Sequence, residues 1–126
     1  MVGDKQLIEK ASDALTNAYA PYSKIKVGAS VATETGEVFS AANVENASYG
    51  LTICAERAAI FAAVGKGHRK IKTLAVIADG MDHPLPCGAC LQVMSQFGVE
   101  RVIVGALGGE VTTYDFDELL PKPFSL

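Results

Sequence analysis

Ile71-Lys72-Thr73-Leu74-Ala75-Val76-Ile77-Ala78 is the stretch on which the architecture turns. From Leu74 on it is unbroken apolar sequence, and the whole run is of strand length. A strand with one wet face alternates apolar and polar residues, whereas a continuous run marks a strand covered on both faces. Residues 101–106 (Arg-Val-Ile-Val-Gly-Ala) repeat the pattern. Between the two runs, Pro84 and Pro86 break the chain and a helical stretch follows over 88–97. Buried strands alternating with helices indicate an α/β sandwich.

The rest of the chain fits around that centre. Leu7, Ile8, Ala11, Leu15, Ala18 and Tyr19 recur at helical spacing, which predicts an amphipathic helix over 5–20 ended by Pro21. Residues 26–33 and 37–42 read as strands, with Thr35-Gly36 as a hairpin turn between them. The polar, glycine-containing segment 43–52 reads as a loop. Residues 53–64 are strong helix formers and apolar nearly all round, the mark of a buried helix. Gly108-Gly109 turns into a last strand over 110–114, and a short acidic helix over 115–120 precedes the tail. The fold expected is a three-layer α/β sandwich with one five-stranded mixed sheet flanked by helices.

Bulk properties narrow the function. The 126 residues are expected to form a single domain, 1–126. Apolar residues make up 49% of the chain, rich for a small monomer, so some of this surface is expected to be shared between subunits. The net charge of −3 argues against a nucleic-acid partner. The densest basic cluster, Lys66, His68, Arg69, Lys70 and Lys72, reads as a solvated helix end and loop. There is no apolar stretch of membrane-spanning length and no signal-peptide pattern near the start. A cytoplasmic protein without a membrane partner is expected.

All 3 cysteines fall in two short motifs, Cys54-Ala55-Glu56-Arg57 and Pro86-Cys87-Gly88-Ala89-Cys90. Three thiolates leave one tetrahedral position of a Zn²⁺ ion open, as a catalytic zinc requires. Cys87-x-x-Cys90 lets two sulfurs converge from one turn. Both motifs open helices, where free N–H groups and the positive dipole end favour thiolates. Glu56 is placed to move protons to and from a water on the metal. Arg57, three positions after Cys54, lies on the same helix face and offsets the negative charge of the thiolates. Two other readings compete. His83 could close a structural Cys₃His site, or Cys87 and Cys90 could be a redox dithiol, but neither accounts for Glu56 beside Cys54.

At these residues the chain resembles the short, homotetrameric class of cytidine deaminases. The likeness is carried by Asn43-Val44-Glu45-Asn46-Ala47, Cys54-Ala55-Glu56-Arg57 and Pro86-Cys87-Gly88-Ala89-Cys90-Leu91-Gln92. Ala20-Pro21-Tyr22-Ser23-Lys24 and Glu118-Leu119-Leu120-Pro121 are also similar to that class, so nearly the whole chain is covered. The resemblance implies one zinc per subunit on Cys54, Cys87 and Cys90, with Glu56 as the proton carrier in hydrolytic attack at C4 of a cytosine ring. It implies that Asn43 and Glu45 bind the ribose hydroxyls and that backbone around Ala55 reads the base edge. It further implies that Phe124 stacks on the base from a neighbouring subunit and that Tyr49 lies at the subunit junction near the site. Two positions depart from the class. Ile25 stands beside the base where phenylalanine is usual, and Leu91 follows the second motif where arginine is usual.

Cytidine and 2′-deoxycytidine are therefore the expected substrates, in pyrimidine salvage, with active sites shared across a homotetramer. A deaminase for a blasticidin-type molecule or a modified nucleoside is the alternative that Ile25 leaves open. A non-enzymatic zinc module would need a fourth protein ligand. An RNA- or DNA-editing deaminase commonly has histidine as first ligand and needs a basic strand-binding surface, unlike this chain.

Overall fold

The computed structural model describes residues 2–126. Its centre is a five-stranded sheet of order β2-β1-β3-β4-β5: β1 Lys26–Thr33, β2 Val38–Ala42, β3 Ile71–Asp79, β4 Arg101–Ala106 and β5 Val111–Asp115. β3 and β4 run parallel, in register from Thr73↔Arg101 to Ala78↔Ala106, and every other pair is antiparallel. The helices are α1 Asp4–Leu15, α2 Ala55–Gly65, α3 Gly88–Gln96 and the short α4 Phe116–Leu119.

Strand periodicity sorts the core into two halves. Leu74 and Val76 of β3, with Val102 and Val104 of β4, pack with Ala59, Ile60 and Ala63 of α2 and with Cys90 and Met94 of α3. Their neighbours Ala75, Ile77 and Ile103 face the other way, onto Leu7, Ala11 and Leu15 of α1. This is the expected three-layer sandwich. The central strands are largely apolar because each face is covered by a helix. α1 sits especially close to β1. A Cβ built on Gly28 would lie 1.9 Å from the Ala11 carbonyl oxygen and 2.8 Å from the Leu15 nitrogen, so glycine is needed there for space.

The first helix departs from its sequence reading. It ends at Leu15, not at residue 20, because the chain leaves it to pair elsewhere. The Tyr19 amide donates to the Asn43 carbonyl at 2.9 Å, and the Glu45 amide donates to the Tyr19 carbonyl at 2.8 Å. Val44 is bridged on its other side to Ile53. These distant pairings outweigh the local helical periodicity, and they order the segment after β2 that reads as a plain loop. That segment also contains a single 3₁₀ turn, Tyr49–Leu51.

Candidate metal centre and active site

Two cysteines sit at matching places. Cys54 is the N-cap of α2 and Cys87 the N-cap of α3, both with extended backbone. Neither side chain caps its own helix, so both sulfurs are free to point outward. Cys90, one turn into α3, is buried. The Cys54–Cys87 sulfurs are 3.9 Å apart and the Cys87–Cys90 sulfurs 3.6 Å. All three lie within 4.8 Å of one another. Zinc–sulfur bonds of about 2.3 Å at tetrahedral angles set an edge of about 3.8 Å, so the trio fits one zinc ion.

Among the described residues, no further His, Cys, Asp or Glu joins this cluster. His83, the ligand a closed site needs, is instead hydrogen-bonded through Nε2 to the Tyr114 hydroxyl at 2.7 Å.

Charge is arranged around the sulfurs. Arg57 donates from Nη2 to Cys54 Sγ at 3.3 Å, as their spacing on the helix predicts. A hydrogen bond from Cys90, reinforced by Arg57, pulls the Cys54 thiol down to about 5 against the cost of its burial. Cys90 moves the opposite way, because a hydrogen bond to Cys54 favours its protonated form and because it is buried. The thiolate beside it holds Arg57 firmly protonated. Arg57 Nε is buried without a partner, a cost of about 1–3 kcal/mol accepted where the guanidinium turns toward sulfur.

Glu56 lies in the first turn of α2 and is only 5% exposed. Burial pushes its carboxyl up to about 7, and the neighbouring Cys54 charge adds to the rise, while its own backbone N–H and Arg57 oppose it. It lines a cavity of about 190 Å³ together with Cys54, Ala55 and Cys87. Ile25, Val27 and Val76 form an apolar wall from the sheet side, and Met81, Pro84 and Leu85 form a second wall from the loop after β3. Asn43 and Thr52 supply the polar edge. Thr52 also lines an adjoining, shallower hollow of about 380 Å³, shared with Tyr22, Ser23, Glu45 and Tyr49.

Asn43 and Glu45 are both held firmly. The Asn43 amide accepts from Val27 N and donates to Ile25 O, each at 3.0 Å. One N–H and one lone pair remain to it. The Glu45 carboxylate accepts from the backbone amides of Tyr22 at 2.9 Å and Ser23 at 3.1 Å, and from the Ser23 hydroxyl at 2.5 Å. These bonds, the Ser23 hydroxyl first, lower its pKa. Ser23 Oγ in turn accepts from Ile25 N at 3.0 Å, across Lys24 with its left-handed φ of 64°. This turn aims Ile25 into the cavity.

Cys54, Ala55, Glu56, Cys87, Asn43 and Ile25 thus meet at one cavity, while Glu45 and Tyr49 stand at its mouth. Tyr49 is 77% exposed, edge-on to Tyr22. Phe124 lines neither hollow. It is 70% exposed, and its carbonyl is held by Gln92 Nε2 at 3.0 Å. Sequence reading missed Thr52 and the loop wall of Met81, Pro84 and Leu85. Nothing in the order of residues marks where a proline-broken loop runs.

The sequence matches, over residues 1–106, the family model of the cytidine and deoxycytidylate deaminase zinc-binding region. The chain belongs to this deaminase family. Among its relatives, the cytidine deaminase of Halalkalibacterium halodurans is 45% identical over 125 residues, or 97% of this chain and 95% of that protein. The crystal structure of cytidine deaminase from Burkholderia pseudomallei superposes with a TM-score of 0.91 at 43% identity, covering 98% of this chain and 100% of that one. The blasticidin-S deaminase of Bacillus cereus is more distant, 29% identical over 130 residues, or 97% of this chain and 92% of that protein. The α/β sandwich and the zinc-fitting cysteine trio are those of a zinc-binding deaminase. No helix among the described residues is long and apolar enough to cross a membrane.

Proposed function

We propose that this chain hydrolyses cytidine and 2′-deoxycytidine to uridine and 2′-deoxyuridine, releasing ammonia. The observation that carries the reading is one cavity shared by a buried carboxyl, Glu56, and two of three zinc-fitting sulfurs, Cys54 and Cys87. When bound to Cys54, Cys87 and Cys90, zinc supplies Lewis-acid activation of water. Glu56 takes a proton from the attacking water and delivers it to ring nitrogen N3. A further proton goes by the same carboxyl to the departing amino nitrogen, so one water enters and one ammonia leaves. Arg57 balances the thiolate charge. Ile25, Val27 and Val76 hold the base in an apolar, water-poor slot, and backbone around Ala55 reads its edge.

Asn43 and Glu45 bind the sugar with the hydrogen-bonding capacity their internal bonds leave over. Their spacing, one in the cavity and one at its mouth, supports a ligand with a base inside and a sugar outside. The whole chain, 1–126, acts as one catalytic domain in the cytoplasm, where thiols stay reduced. Four copies assemble, and Phe124 of one reaches the site of another. The exposure of Phe124, Tyr49 and Leu51 supports this arrangement.

Ultraviolet-monitored deamination by the zinc-loaded protein tests the substrate. Turnover of cytidine and deoxycytidine is expected. A protein that leaves both untouched but deaminates blasticidin S would overturn this choice in favour of the other substrate class.

A further inference from the structure

Three of the twelve residues that line the cavity, Met81, Pro84 and Leu85, come from the loop 80–86, and few hydrogen bonds hold that loop. Met81 and Leu85 line the cavity yet are 44% and 53% exposed, so core packing does not fix their side chains, whereas Pro84 and Pro86 are buried. Pro84 and Pro86 have no N–H to give. Among the described residues, the loop's backbone makes one turn hydrogen bond, Leu85 N to His83 O at 2.9 Å. Gly80 opens the loop at φ 100°, a left-handed conformation that favours glycine. Among the described residues, a single side-chain hydrogen bond reaches the loop from elsewhere, between His83 Nε2 and the Tyr114 hydroxyl at 2.7 Å. The two rings also meet edge to face, 5.9 Å between centroids. Tyr114 is a firm anchor: it is paired with Val102 within the sheet, and its ring packs against the core beneath α2 and α3.

We propose that His83 and Tyr114 are a positioning pair, which holds the loop wall against the nucleoside base and so sets how tightly the cavity binds it. The inference rests on the proposed nucleoside reading of the cavity. Neither residue lines the cavity, so neither is a catalytic residue. With the tie cut, the loop wall is in place for only part of the time. Apparent affinity falls by that fraction, while the chemical step in the assembled site is unchanged. One net hydrogen bond corresponds to roughly a two- to tenfold change.

The test compares His83→Ala, His83→Gln and Tyr114→Phe with the parent enzyme, all zinc-loaded. Tyr114→Phe keeps the ring in the core and removes only the hydroxyl. KM for cytidine is expected to rise about two- to tenfold in Tyr114→Phe and His83→Ala, with kcat and zinc content unchanged. His83→Gln, which retains a hydrogen-bonding side chain, is expected to restore part of the loss. Hydrogen exchange of amides in residues 80–86 should quicken in the same order. Unchanged KM and unchanged loop exchange in both Tyr114→Phe and His83→Ala would overturn the proposal, as would a fall in kcat accompanied by zinc loss. A parent enzyme inactive on cytidine would sink the substrate assignment instead, and loop exchange then decides the positioning role by itself.

Discussion

In the proposed reaction Glu56 is the residue on which the chemistry depends, and its setting explains why a single change should disable it. Buried beside Cys54, it is poised to exchange a proton inside a cavity with mostly apolar walls. Glu56→Gln keeps shape and hydrogen-bonding capacity but carries no exchangeable acid. Its turnover of cytidine should fall by at least the ~10²–10⁴-fold typical of one general acid–base, with zinc content retained. Near-normal turnover at full zinc would remove Glu56 from the mechanism. At this scale the sequence is highly legible. Cys54, Glu56 and Arg57 lie within one helical turn, so local spacing alone brings Arg57 to the Cys54 sulfur. Glu45 shows the opposite case. Its partners Tyr22 and Ser23 are more than twenty positions away, and the bonds that tie it to the turn beside Ile25 follow from no local pattern.

The elements divide in the same way. β3 and β4 are readable because burial on both faces writes a continuous apolar run, and their observed bounds match the reading almost to the residue. α1 is readable where its apolar stripe meets the sheet and unreadable where it stops. Tyr19 carries the helical periodicity onward, yet it pairs with the segment around Val44, a contact between distant parts of the chain. The seat of α1 on β1 yields a stability prediction. In Gly28→Ala the new methyl meets the Ala11 carbonyl and the Leu15 amide, both backbone atoms that cannot rotate away. Overpacking of this kind costs about 1–3 kcal/mol, toward the upper end when backbone must shift. Thermal melting should show a midpoint several degrees below the parent. An unchanged midpoint would mean that α1 is not seated as closely as described.

At the scale of the whole molecule, the chain leaves large aromatic side chains exposed. Phe124 and Tyr49 are largely exposed, and Gln92 fixes the tail that carries Phe124. If Phe124 stacks on a base in a neighbouring copy, Phe124→Ala should raise KM about tenfold, toward the lower end of the ~1–3 kcal/mol typical of base–aromatic stacking. Unchanged kinetics would return Phe124 to a packing role. The proposed tetramer rests on family resemblance and on the apolar composition, since no local pattern in the sequence separates a surface meant for a partner from one meant for water. The cysteine trio carries the central claim. One measurement tests it most directly: cytidine turnover and zinc content followed together as the metal is removed by chelation and then returned. One zinc per chain is expected, with turnover lost as zinc leaves and recovered as it is restored. Full turnover in zinc-free protein would contradict the account.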